Sequence, residues 1–417
     1  MQDEIPVQLL PDEALELPAD DPSVKAKPSD AVINEKYIKG DIRIVTEQAR
    51  YPINTVAAMV DSDSYTLSPE YQRRHRWNRD QQSKLIESLI MNVPVPPVFL
   101  YEYDFSKYEV MDGLQRLTAI SEYYRGQFAL NGLIEWSELN GKRYKELPDK
   151  VREGIDRRYL SSIILLKETA RDESEALRLK QLVFERLNSG GVSLSHQESR
   201  NALFNGPLNE ACLLLSRTPA FCRLWNIAEP TPEEIAARAS KTDYTLPEAL
   251  LKNEDFRSMY DVELVLRFFA NRQRLQVRQS GDSLKRFLDR YLQLGNSSFS
   301  SDTISALSDI FLETINLIES VLGERAFWLY RKRGKEGNES WNWLQRPTLA
   351  AYEPLMFVFS TMRDRSADLI NSGEQIRAGL AKFYEDNYDI FGGRNVNAAD
   401  LTAREQAYRA YIVSKIP

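Results

Sequence analysis

Asp112-Gly113-Leu114-Gln115-Arg116 is the stretch of this chain best equipped for chemistry. A glycine bend at a helix start leaves backbone N–H groups without intrahelical partners, and an arginine beside them adds a fixed positive charge. That combination suits a phosphate, through charge-assisted hydrogen bonds of roughly 1.5–3 kcal/mol each. Two further polar clusters flank it in sequence. Tyr71-Gln72-Arg73-Arg74-His75-Arg76-Trp77 interleaves arginines with aromatics, so its guanidinium groups could grip phosphate oxygens while Trp77 or Tyr71 stacks on a base. Asn188-Ser189-Gly190-Gly191, with Glu198, Arg200 and Asn201 beyond it, is a Gly- and amide-rich loop of the kind that closes over a ligand. Asn188 and Asn201 are its side chains to suspect.

Each cluster also has a plain structural reading. Asp112 could cap a helix and Arg116 sit in solvent. Trp77 could be a staple on the core. The Gly190-Gly191 pair could end one helix before Ser195, with Glu198 three residues on, opens the next. The basic run Arg331-Lys332-Arg333-Gly334-Lys335-Glu336-Gly337 reads as a solvated loop.

The elements that must position these groups follow from periodicity. Residues 1–34 carry five prolines among scattered acids and read as a disordered or extended acidic arm, loosely docked at most. From about residue 35 the pattern is mixed α/β. Asn78 starts a helix with Gln81 as its capping-box partner, and Leu85, Ile86, Leu89 and Ile90 line its apolar face. Val98–Tyr101 and Tyr108–Met111 read as strands, and Leu117, Ile120 and Tyr124 as a helical stripe closed by Gly126. Ser162–Leu166, largely apolar, reads as a central strand. Beyond about residue 205 strand signals fade. Val262–Phe269 is apolar nearly all round, as in a core helix, with Glu263 and Arg267 four apart on its one polar edge. The expected fold class is α+β: a small mixed α/β domain over 35–205, then a mainly α-helical domain over 206–417.

Composition narrows the function. With 417 residues and 42% hydrophobic content the chain can build proper cores. Net charge −7 and a pI near 5.3 weigh against non-specific nucleic-acid binding, though local basic patches remain. The two histidines, His75 and His196, and the two cysteines, Cys212 and Cys222, leave no His-rich or Cys-x-x-Cys metal motif. No segment reaches bilayer-spanning length and no basic leader precedes an apolar run, so the expected location is cytoplasmic, away from membranes.

Taken in order, Tyr71-Gln72-Arg73 with Trp77, Leu85–Ile90 leading to Pro94-Val95-Pro96, Met111–Thr118, Phe184–Gly191 and Leu194-Ser195 before Glu198 resemble the DGQQR-motif family with a ParB/sulfiredoxin-like fold. That family also forms the N-terminal part of GmrS/GmrD-type modification-dependent restriction enzymes. The resemblance runs from about residue 45 to about 210. It implies a ParB/sulfiredoxin-like core that binds or hydrolyses a nucleoside triphosphate, often coupled to DNA in phage defence. Carried over by position, Asp112, Gln115 and Arg116 are the catalytic candidates. Arg73, Gly113, Asn188, Gly190 and Gly191 are the nucleotide-binding ones, joined from the polar clusters themselves by Gln72, Arg74, Trp77, Ser189 and Asn201. Asp112 would also position Mg²⁺, which needs only one or two protein carboxylates beside phosphates. Two departures stand out. Leu114 replaces the signature's first Gln, which weighs on hydrolysis more than on binding. No histidine follows His196, so a His-Asn-His nuclease centre has no ligands there.

The resulting expectation is a nucleotide-binding, NTP-hydrolysing or NTP-sensing switch in anti-phage defence or DNA transactions, with DNA or a nuclease protein as partner. A metal-dependent DNA nuclease and a non-catalytic protein–protein adaptor are the alternatives. The first reading requires Arg73 and Arg116 to converge on one anion pocket floored by the glycine bend.

Overall fold

A computed structural model describes residues 7–15, 29–39, 44–67, 74, 77–167, 173–188, 195–240, 246–278, 281–335, 338–392 and 398–417. The chain divides into two compact units: Asp20–Leu203, and Met1–Ala19 together with Phe204–Pro417. The fold class is as the sequence predicts, a small mixed α/β sheet unit followed by a mostly helical one.

In the first unit, five strands lie in the order β1-β5-β3-β4-β2. They are β1 (Thr46–Pro52), β2 (Tyr65–Thr66), β3 (Val98–Asp104), β4 (Lys107–Asp112) and β5 (Tyr159–Leu165). β3 and β4 form a tight antiparallel hairpin, whereas β3 and β5 run parallel. β5 lies between β1 and β3, the interior position its apolar run predicts. β1 has no sequence signal: as an edge strand it exposes most of its side chains and shows no hydrophobic alternation.

The helices that matter to the site are α1 (Arg79–Ile90), α2 (Leu114–Tyr124), α3 (Glu173–Asn188) and α4 (His196–Leu203). α1 opens with the predicted capping box: Asn78 Oδ1 accepts from Gln81 N at 2.9 Å, and Gln81 Oε1 accepts from Asn78 N at 3.1 Å. Gly126, at φ 70°, follows α2 and donates to Tyr123 O at 2.8 Å, as its cap assignment requires. Ile86, Val98, Leu100, Leu117, Ile120 and Tyr123 are all fully buried in one core that pins both helices to the sheet.

The second unit is built on buried helices, chief among them Tyr260–Arg272, Ser301–Leu322 and Leu349–Ser360. The Glu263–Arg267 pair on the first of these forms at 2.8 Å, and a third member, Glu353, accepts from the same guanidinium at 2.9 Å. Cys212 and Cys222 are buried. Desolvation pushes the Cys222 thiol up to about 12, well away from reactive thiolate.

One expectation is overturned. The basic run 331–335 is not a loop: Tyr330–Lys335 (β6) pairs with Asn338–Trp343 (β7) in an antiparallel hairpin. Tyr330, Trp341 and Trp343 share one face of it, with ring centroids 5.6 and 5.2 Å apart, and such cross-strand aromatic pairs stabilise a ribbon that basic composition alone disguises. Of the N-terminal arm, residues 7–15 and 29–34 lie among the described residues. Asp30–Lys39 is helical, and Glu13 and Leu15 are buried in the helical unit. Glu13 pairs with Arg272, a partner 259 residues away that no local pattern announces.

A buried carboxylate gives this unit an acid-sensitive point. Glu234 accepts from Arg217 Nε and Nη2 at 2.7 and 3.0 Å, and from Arg238 Nε at 3.1 Å. Burial alone would raise its pKa. The Arg217 hydrogen bonds and the two guanidinium charges outweigh burial and hold it below the ordinary 4.5. A folded pKa below the unfolded one adds stability above the ordinary carboxylate range, and that stability is lost as pH falls through the lowered folded value. The Tm should therefore fall as pH drops below about 4.5, and Glu234→Gln should flatten that fall while lowering Tm at neutral pH. Melting curves across the acid range check this. A variant with an unchanged acid slope would contradict it.

Candidate anion-binding site at the Asp112–Arg116 bend

β4 ends at Asp112, opposite Phe99 of β3, and α2 begins at Leu114. Gly113 alone turns the chain between them, at φ 96° and ψ 9°. Glycine adopts this left-handed conformation at little cost. Space makes the same demand. A β-carbon at position 113 would stand 2.5 Å from Val98 Cγ1 and 2.9 Å from Arg116 Nη2. Gly113 O accepts from Leu117 N at 3.0 Å, which starts the helical ladder and leaves the first-turn N–H groups outside it.

Arg116 folds back over the bend. Its Nη2 donates to Asp112 Oδ2 at 2.9 Å and to Pro97 O at 3.2 Å. The plain reading of a solvated Arg116 does not hold, because its side chain is only 14% exposed against 47% for Asp112. Its Nε is buried and meets no acceptor among the described residues. A buried guanidinium N–H without an acceptor is costly in a folded protein and marks a place where a ligand oxygen would be welcome.

The start of α1 is clamped to the same helix. Gln115 Oε1 accepts from Trp77 N at 3.0 Å. Seven residues further, on the same face of α2, Glu122 Oε2 accepts from Arg79 Nη1 at 2.7 Å and from Gln82 Nε2 at 3.0 Å. Gln115 and Glu122 thus fix the end of the Tyr71–Trp77 cluster against the glycine bend. α3 is tied to β4 as well. Lys180 Nζ reaches Glu109 Oε2 on β4 at 2.6 Å, three residues before Asp112.

Residues 56–205 match a family model described as the GmrSD restriction endonuclease, N-terminal domain. This stretch is a GmrSD-type N-terminal domain. Comparison with curated proteins and with solved structures gave no match. The GmrSD-type domain ties the chain to restriction, the setting of anti-phage defence. Among the described residues no helix is long and apolar enough to cross a membrane.

Within the GmrSD-type domain the predicted site residues fall into three groups. Asp112, Gly113 and Arg116 form the bend itself, and Gln115 ties it to Trp77. Trp77 is half-buried and packs against the core cluster, as a staple would. Arg74 is an interior residue, 2% exposed, rather than part of a solvated basic arm. Asn201 is buried on α4, beside buried Gln197, Glu198 and Arg200. The predicted capping box at Ser195 is present: Glu198 N donates to Ser195 Oγ at 3.1 Å, and Ser195 N donates to the Glu198 carboxylate. Gln72, Arg73, Ser189, Gly190 and Gly191 lie outside the described residues, as does the side chain of Asn188. The convergence of Arg73 with Arg116 therefore falls outside them too.

Sequence reasoning missed three contributors: Val98, which forbids any side chain at 113, the Pro97 carbonyl that anchors Arg116, and the Glu122 clamp. Glu122 carried a signal, being seven residues after Gln115 and therefore on its face of the helix. Among the described residues no group of three or more His, Cys, Asp or Glu side chains could hold a metal ion. A divalent cation at this bend would rest on Asp112 and on the oxygens of a bound phosphate, a coordination that suits Mg²⁺.

Proposed function

We propose that the GmrSD-type domain binds a nucleoside triphosphate at the Gly113 bend and acts as a sensor or switch in anti-phage defence, reporting to DNA or to a nuclease partner. The observation that carries this reading is the buried Arg116 Nε with no acceptor among the described residues, at a helix start that opens directly from a glycine turn. Arg116 would engage non-bridging phosphate oxygens, the first-turn amides of α2 would sit beneath them, and Asp112 would hold Mg²⁺. Gln115, the remaining amide of the motif, has its oxygen committed to Trp77 N, and the Leu114 side chain offers no polar atom. This arrangement supports retention of the nucleotide over rapid turnover. It also supplies the coupling, because the group beside the phosphate is hydrogen-bonded to the segment that enters α1.

A thermal-shift panel of ATP, GTP, CTP and UTP, with and without Mg²⁺, tests the proposal. One nucleotide should stabilise the chain by about 2.7 kcal/mol at a hundredfold excess over its dissociation constant. Arg116→Gln, verified as folded by circular dichroism, should lose most of that shift. Equal shifts in both proteins, or none with any nucleotide, would refute it.

A further inference from the structure

We infer that the C-terminal end of the helix Tyr260–Arg272 is a receptor site for a short acidic peptide, and that residues 8–15 of the same chain occupy it. The site lies in the helical unit and is independent of the glycine bend. Arg272 and Gln273 are its recognition groups, 5% and 0% exposed. Among the described residues, every side-chain hydrogen-bond partner of Arg272 belongs to the N-terminal segment. Its Nε donates to Glu13 Oε1 at 2.8 Å, and its Nη2 to Glu13 Oε2 at 2.9 Å and to Gln8 O at 3.3 Å. Among the described residues, 204–417 thus bury a guanidinium whose acceptors all come from Gln8 and Glu13. A buried cation left in that condition is strongly unfavourable, so the surface is built for an incoming carboxylate.

The contacts have the form of peptide recognition. The fork-to-fork Arg–carboxylate pair gives charge and direction. Main-chain groups are read at both ends, Gln8 O by Arg272 and Leu15 N by Gln273 Oε1 at 3.2 Å. Leu15 is buried, whereas Pro11, Asp12 and Ala14 face solvent. The segment also braces itself. Glu13 N donates to Leu10 O at 3.1 Å, and Leu10 N donates to Glu13 Oε2 at 2.9 Å. A turn held by its own carboxylate presents that carboxylate to the guanidinium with little further ordering, which lowers the entropic cost of binding.

The test uses the full chain with a protease site introduced between residues 20 and 27, cut after folding. A labelled synthetic peptide of residues 7–16 should then exchange with the released N-terminal fragment, read by fluorescence anisotropy and gel filtration. Uncut chain should bind it about tenfold more weakly or worse, because its own segment competes at high effective concentration. A Glu13→Gln peptide should bind about a hundredfold more weakly, and an Asp12→Asn peptide as well as the native one. As a second arm that needs no cut, uncut Glu13→Gln chain should accept the native peptide better than uncut native chain does. A fragment that never exchanges, a Glu13→Gln peptide that binds equally well, or an uncut Glu13→Gln chain no better than native overturns the inference and makes residues 8–15 an ordinary piece of the core.

Discussion

Gly113→Ala should destabilise the sheet unit by about 2–6 kcal/mol and abolish the nucleotide binding proposed at the bend. Two costs add at this position. The backbone sits at φ 96°, where a β-carbon is strained by about 1–3 kcal/mol. The added carbon would also stand 2.5 Å from Val98 Cγ1, and Val98 is fully buried with nowhere to retreat. Overpacking of that kind costs roughly 1–3 kcal/mol more. The second cost can be separated from the first. Val98→Ala alone should destabilise by creating a cavity, but in the Gly113→Ala background it should relieve the Cγ1 clash and leave the backbone strain and the close approach to Arg116 Nη2. Denaturant titration of the four proteins measures the coupling directly. A Gly113→Ala chain within about 0.5 kcal/mol of wild type would show that the bend relaxes freely and that the space around it was not decisive.

Arg267→Met should cost about 3–5 kcal/mol at neutral pH, the largest single loss expected in the helical unit. Arg267 stands between two carboxylates, Glu263 at 2.8 Å and Glu353 at 2.9 Å, and all three side chains are about nine-tenths buried. Burial would lower the arginine's pKa, but Glu353 and Glu263 reverse the shift and raise it, so the cation persists at every usable pH. Methionine fills much of the volume and removes the charge that offsets the repulsion between the two carboxylates. One of them should then take up a proton well above its ordinary pKa, so the variant's deficit should shrink as pH falls. Replacing all three, as Glu263→Gln, Arg267→Met and Glu353→Gln, should be far less harmful than the single change, since no lone charge stays behind. A single variant whose deficit does not depend on pH would place the loss in packing instead of electrostatics.

What the sequence discloses here follows the range of the interactions involved. The Asn78–Gln81 box, the Gly126 cap, the Ser195–Glu198 box and the Glu263–Arg267 pair are all set by spacings of three or four residues, and all are present. The glycine bend is legible for the same reason, since the residue after a strand and before a helix has few alternatives. Glu353 is not legible, because it joins Arg267 across 86 residues. Glu13 reads as part of an acidic arm because a carboxylate among prolines looks solvated until Arg272 is known to lie against it. The hairpin Tyr330–Trp343 is hidden by its basic residues, and its signal lies in aromatic positions paired across the turn. At the site, the run Asp112–Arg116 stands out as a unit from its residue types alone. Its neighbours Val98 and Pro97 come from tertiary packing that no periodicity encodes.

The separation of Glu13 from Arg272 has a consequence for how the chain is made. A ribosome adding about 5–20 residues per second needs roughly 13–50 s to translate the 259 positions between them. During that interval the whole sheet unit emerges and can fold, while the acidic turn waits without its guanidinium. The helical unit then closes around a peptide synthesised before every one of its helices, so the last native contacts to form include some of the first residues translated.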